Sequence, residues 1–259
     1  MPEGHVVHRL ARELGADLTG HRLSVSSPRG RFGAEAARLH GAVLRRTDAH
    51  GKHLLVDFSR DERLHVHLGM QGKWLRFDDP GRPALPQVRL RLASEVVAWD
   101  LLAPLRCELL SEEAVRDLVR GLGPDPLRSD ADAEAAVAAL RAAPGAVGAA
   151  LLDQSVISGV GNVFRNEALH AVGIAPRRPC RELTDSEART LWAELRRMME
   201  RAVEDGRIVT MDVPDRATIP ESEARKVYKQ KYCRDCGAPV VTDTVGGRTA
   251  YHCPREQPR

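Results

Sequence analysis

The hydrophobic period of this chain changes twice, and that change limits its fold more than any other feature. From about Arg22 to Leu101 apolar residues come in short, mostly alternating runs. These are Val43-Leu44, Leu54-Leu55-Val56, Leu64-His65-Val66-His67-Leu68 and Val88-Arg89-Leu90-Arg91-Leu92, parted by Gly, Pro and Asp. Alternation with a period of two is that of half-buried strands and predicts a β-sandwich or small barrel. A helix precedes it, with Val7, Leu10 and Leu14 on one face and Gly15 as its expected end.

Beyond Ser111 the spacing becomes helical. Ser111-Glu112-Glu113 opens one helix that closes near Gly121, and Ala131 to Ala143, Ala146 to Gln154 and Val163 to Val172 read as three more. A long helix starts at Thr184, with Glu187 completing a capping box and Leu191, Leu195, Met198 and Ala202 as its core stripe. The last residues return to Gly, Thr and Val with paired cysteines. At 259 residues the chain exceeds one typical domain, and three modules are expected: 1–122, 123–220 and 221–259. The rigid turn Gly123-Pro124-Asp125-Pro126 marks the first boundary. The fold class is α+β and multidomain: a helix plus β-sandwich, a helical domain and a C-terminal ribbon-like hairpin.

Cysteine placement narrows the compartment and suggests a metal. Cys107 and Cys180 stand alone; Cys233-x2-Cys236 is followed after 16 residues by Cys253. An odd count argues against a disulfide framework, and the cluster has the spacing of a zinc ribbon. A ribbon of four cysteines would place the fourth at 256, where Glu256 stands. Three unrelated buried thiols are the plainer alternative. No apolar run is long enough to span a membrane, the longest being Ala146 to Leu152. The N-terminal Met1-Pro2-Glu3-Gly4 lacks a secretion pattern, so a cytoplasmic protein is expected.

Charge points mildly to a polyanion. The net formal charge is +3, and the segment from Glu221 onward, with 8 Lys+Arg against 5 Asp+Glu, carries all of it. Aromatic residues, at 4%, are few for a protein that stacks single-stranded bases.

Three short segments carry chemistry. With Met1 removed, Pro2 would expose a secondary amine, titrating near the α-amino range of about 7.7–8.0, so part of it is free base near neutrality. Such an amine suits Schiff-base formation, and the adjacent Glu3 can move protons; the alternative is that Pro-Glu merely opens a helix. In Ser158-Gly159-Val160-Gly161-Asn162 the glycines allow close backbone approach, and Asn162 can cap a helix whose free N–H groups suit a phosphate. Lys52 leads a strand, where a lysine is ordinarily solvated, as His65 and His67 would be. Trp74 and Trp99 read as core.

Taken together these segments resemble a known family. Met1-Pro2-Glu3, Gly51-Lys52, His67-Leu68-Gly69-Met70, Gly123-Pro124-Asp125, Leu151-Leu152-Asp153-Gln154, Gly161-Asn162 and Gly247-Arg248-Thr249 occur in this order. The whole chain is similar to the formamidopyrimidine-DNA glycosylase and endonuclease VIII family of base-excision repair enzymes. Met-Pro-Glu-Gly and Trp74 look closer to the endonuclease VIII branch.

The resemblance implies a helix–two-turn–helix middle domain, a zinc ribbon, and duplex DNA with damaged bases or abasic sites as partner, bound by a monomer. It implies that Pro2 attacks the sugar C1′, that Glu3 handles protons on sugar and base, and that Lys52 contacts phosphate and assists β-elimination. Asn162 would bind phosphate, and Arg248 would grip phosphates and aid δ-elimination. Met70 would be the wedge that fills the stack when a base is flipped out. Cys233, Cys236, Cys253 and Glu256 would hold one structural Zn2+. Three departures stand out: Leu101-Leu102-Ala103-Pro104 follow Asp100 in place of the family's Arg and Phe, His5 and Val6 lie where a second glutamate is expected, and Glu256 replaces a cysteine. Competing readings are a catalytically silent protein that binds damaged DNA, and a ribbon that binds RNA or protein.

Overall fold

The computed structural model describes residues 2–258. They divide into two compact units, one built on Val7–Gly121 and the other running from Leu122 onward and taking in Gly4–Val6.

The first unit holds two four-stranded antiparallel sheets. One has β1 (Ser24–Ser26), β6 (Val88–Ala93), β7 (Ala98–Leu102) and β5 (Lys73–Phe77) in the order β1-β6-β7-β5. The other has β2 (Leu44–His50), β3 (His53–Phe58), β4 (Arg63–His67) and β8 (Arg106–Leu110) in the order β2-β3-β4-β8. Two helices, α1 (Gly4–Leu18) and α2 (Gly33–Leu39), complete the strand-rich part. Leu14, Leu18, Leu44, Leu54, Leu64 and Leu90 are fully buried, so the expected apolar faces do make the core. Every residue of β7 is buried, Asp100 included. Its carboxylate takes a two-pronged pair from Arg91 on β6, at 2.6 and 2.9 Å, which offsets the cost of burying it. Trp74 and Trp99 are buried as expected, and the Trp99 indole donates to Asp17 at 2.8 Å.

Gly15 does not end α1, which runs on to Leu18. The glycine serves close packing: a Cβ there would lie 2.6 Å from Oγ1 of Thr47 on β2. Helix α3 (Glu112–Arg120) closes this unit, capped by Ser111, whose hydroxyl accepts from the Ala114 N–H.

The second unit contains α4 (Ala133–Ala142), α5 (Val147–Ala150), α6 (Asn162–Ala171) and α7 (Asp185–Asp205), then a hairpin of β9 (Val241–Val245) and β10 (Arg248–His252). Leu140, Val147, Leu151, Phe164, Leu169, Leu191 and Leu195 form its core. The Thr184–Glu187 capping box opens α7, and Gly206 in the left-handed conformation ends it. One expectation here needs correction. Helix α5 stops at Ala150 and does not reach Gln154, because the Asp153 carboxylate accepts from the N–H and hydroxyl of Ser155 and holds a turn instead. Gly123 is sewn into the helical unit: its N–H donates to Gln154, Ser158 donates to Pro124, and a Cβ at 123 would run into the Val156 carbonyl.

Candidate active site

Pro2, Glu3, Lys52 and Met70 fall within the first unit. The expected removal of Met1 lies outside the described residues. Glu3 occupies the N-cap position of α1 with extended backbone and has no surface exposure. A carboxylate is costly to bury, which makes Glu3 a candidate for chemistry beside Pro2. Gly4 follows for a steric reason: its N–H donates to the Gly159 carbonyl at 2.8 Å, and a Cβ there would stand 2.9 Å from Gly159 Cα. His5, where a second glutamate was expected, is buried edge-on against Phe164, and burial, with the Arg225 charge nearby, pushes its pKa down to about 3. It is neutral at physiological pH.

Lys52 sits in the two-residue turn between β2 and β3, after Gly51 with φ of 57°. The face of the sheet beside it is not solvated in the expected way. His65 is 1% exposed. Its Nδ1 lies 3.0 Å from the Glu108 carboxylate and its Nε2 lies 2.9 Å from Nδ1 of His53. An ionised carboxylate only accepts, so His65 donates from Nδ1 and receives the His53 N–H at Nε2. Burial first, then the positive charges of its neighbours including Lys52, pushes His53 down to about 3, and His65 and His67 are lowered by burial as well. The only signal in the sequence was the spacing that puts His65 and His67 on one strand face; the pairing of His53 with His67 is set by sheet register.

Met70 is 65% exposed, on the turn that follows β4. Gly69, with φ of 67°, and Gly72, where a Cβ would overlap the Leu68 carbonyl, allow that tight turn and turn the methionine outward. Leu105, which sequence reasoning missed, is 68% exposed and packs against Gly69. Two large apolar side chains thus project at one place. That is an uncommon arrangement for a surface with no partner.

In the second unit the structure brings Asn162 to the hairpin. Gly161, not Asn162, caps α6; the Asn162 side chain instead donates from Nδ2 to the Thr249 carbonyl at 3.1 Å. Thr249 follows Arg248, and the strands are joined by Gly246 and Gly247 with φ of 61° and 69°, both accessible to glycine.

The cysteines converge. Ligand atoms of Cys233, Cys236 and Cys253 lie within 4.8 Å of one another, and the Cys236 and Cys253 sulfurs are 3.4 Å apart. Two sulfurs on one zinc, each at about 2.3 Å, would be separated by roughly 3.8 Å, so this donor set could hold a metal. Glu256 lies near enough to Cys236 to help raise its thiol pKa. His170 on α6 approaches from the other direction, its Nε2 2.9 Å from Asp235 and 3.8 Å from the Cys233 sulfur. Among the described residues no helix is long and apolar enough to cross a membrane.

Comparison with known proteins places this arrangement. Residues 1–101 match the model of the formamidopyrimidine-DNA glycosylase N-terminal domain, and residues 122–213 that of the formamidopyrimidine-DNA glycosylase H2TH domain. Endonuclease 8 1 of Mycobacterium tuberculosis is 39% identical over 264 residues, covering 98% of this chain and 98% of that protein. Formamidopyrimidine-DNA glycosylase of Nocardia farcinica is 33% identical over 291 residues, covering 100% and 98%. Among solved structures, MutM in complex with DNA containing carbocyclic 8-oxo-G aligns over 100% of both chains with a TM-score of 0.83 and 25% identity. MutM (Fpg) of Thermus thermophilus aligns over 99% of this chain and 98% of its own, with a TM-score of 0.80 and 28% identity. The chain belongs to the formamidopyrimidine-DNA glycosylase and endonuclease 8 family.

Proposed function

We infer that this protein is a bifunctional DNA glycosylase and AP lyase of base excision repair, acting on duplex DNA with damaged bases or abasic sites. The observation that carries the reading is the wholly buried Glu3 carboxylate directly after Pro2. With Met1 removed, the Pro2 amine attacks C1′ of the damaged nucleotide, the base leaves, and an imine links protein to sugar. Glu3 moves the protons this requires. Loss of a C2′ proton from that imine then breaks the C3′–O bond. Lys52 holds phosphate during this β-elimination, Asn162 and Arg248 grip the backbone, and Arg248 assists the second, δ-elimination. Met70 fills the gap left by the flipped nucleotide, with Leu105 beside it.

Cys233, Cys236 and Cys253, with Glu256 in the fourth position, would hold one zinc whose contribution is to fix the hairpin. The modules 1–122, 123–220 and 221–259 divide this work into chemistry, backbone binding and the finger. The enzyme acts as a monomer in the bacterial cytoplasm.

Borohydride trapping tests the reading. Reduction of the imine should leave protein covalently joined to abasic-site DNA, and one residue added before Pro2 should abolish it. Trapping that survives the extension would remove Pro2 from the mechanism. Binding without trapping would indicate a silent damage-binding protein.

A further inference from the structure

Asn162 is not the only side chain of α6 that reaches the hairpin. Arg165, one turn further on, is fully buried. Its Nη1 donates to the Val245 carbonyl at 2.7 Å and to the Gly148 carbonyl at 3.3 Å, and its Nη2 to the Thr249 carbonyl at 2.9 Å. Val245 lies directly across the hairpin from Arg248, and Thr249 follows Arg248. The guanidinium therefore grips the chain on both sides of the Gly246-Gly247-Arg248 turn. Asn166 extends the hold, accepting the Tyr251 N–H at 2.7 Å. Gly246 rests on α5, where a Cβ would stand 3.0 Å from Ala149 Cα.

The choice of side chain has a physical reason. A planar guanidinium offers five donors in fixed directions and can hold several carbonyls at once, whereas an ammonium is a point charge on a flexible stem. Burying it is costly unless those donors are met. The turn that it holds is Gly-Gly, the pair with the greatest backbone freedom. Without a brace, the arginine at the end of such a turn would be spread over many positions.

We propose that Arg165 is a positioning residue for Arg248: by bracing the Gly246-Gly247 turn it sets how far the lyase reaction runs beyond its first elimination. The proposal rests on the reading of Arg248 given above. In the second elimination a C4′ proton is removed, the C5′–O bond breaks, and its electron pair departs on the phosphate. A guanidinium held at that phosphate stabilises the leaving charge, and one that wanders does not.

The test is the ratio of δ to β product from a duplex with a single abasic site, 5′-labelled and converted in a single turnover. The folded fraction of each variant cancels from this ratio, so a merely structural loss does not move it. Arg248→Ala should lower the ratio by roughly ten-fold or more. Arg165→Gln should lower it by about three- to ten-fold, with Arg165→Lys between it and the wild type. Combining Arg165→Gln with Arg248→Ala should lower it no further than Arg248→Ala alone, because the first acts through the second. An unchanged ratio in Arg165→Gln, or an equal drop with Arg248 already absent, would overturn the proposal. An unchanged ratio in Arg248→Ala would overturn the reading of Arg248 itself, and the brace with it. Should Arg165→Gln fail to fold, Asn166→Leu, which removes the acceptor for the Tyr251 N–H, carries the same expectation.

Discussion

Glu3 is buried and His53 half-buried, and the two placements have different consequences. Glu3 is placed to transfer protons, so Glu3→Gln, which keeps its size, should slow base release by about 10²-fold in single-turnover excision. For His53 the consequence is stability. The unfolded chain binds a proton near the ordinary histidine value of about 6.5, while the folded chain holds His53 at about 3. Below about 6.5 the unfolded state therefore takes up a proton that the folded state refuses, and stability falls as pH drops toward 3. Between pH 6.5 and 5 this one group could cost up to about 2 kcal/mol. Urea denaturation at pH 7 and pH 5 should show that loss, and His53→Gln should reduce it; an equal slope in the variant would clear His53 of the effect. Pro2 and Glu3 could be proposed from the sequence because they are adjacent in it. The His53–His65–Glu108 chain could not, because it joins three strands whose order only the folded sheet defines.

The side-chain-capped helix starts of α3 and α7 were legible, since such a cap is satisfied by a residue three positions away. The α7 box is an example, and Glu187 there is held down to about 2, chiefly by Arg178, with the Thr184 N–H assisting. Thr184→Ala should cost about 1 kcal/mol in chemical denaturation. Less legible was the start of α6, where a good capping residue stands one place inside the helix because its side chain is taken by the hairpin. Propensity cannot anticipate a partner 87 residues away. The pairing has a functional counterpart. Asn162→Ala and Arg248→Ala should weaken binding to lesion and undamaged duplex by similar factors, and Arg248→Ala should flatten the salt dependence by about one unit of slope. Weakening confined to lesion DNA would show that these side chains read damage and not phosphate.

Across the whole molecule the order of strand-rich, helical and hairpin segments was readable from period alone, while sheet order and the inward-facing glycines depended on distant contacts. The C-terminal ribbon shows both sides of this. Spacing brought out Cys233, Cys236 and Cys253, and they do converge; the approach of His170 from α6 had no local signal. Position 256 decides how firmly an ion would be held. A carboxylate carries the same formal charge as a thiolate, so Glu256 leaves the net charge of a four-cysteine site unchanged. Its oxygen is a harder donor, however, and bonds zinc at about 2.0–2.2 Å against about 2.3 Å for sulfur, so the longer side chain must fold back to reach. Thiolate and carboxylate ligands bind an ion only when deprotonated, so acid should release it. Zinc should accordingly leave the wild type faster than Glu256→Cys when a chromogenic chelator is added, and the variant should retain it to lower pH. Equal release rates would exclude Glu256 from the coordination sphere. Freshly purified protein that contains no zinc yet nicks abasic-site DNA at full rate would remove the metal from the hairpin, and the chemistry of Pro2 and Glu3 would stand without it.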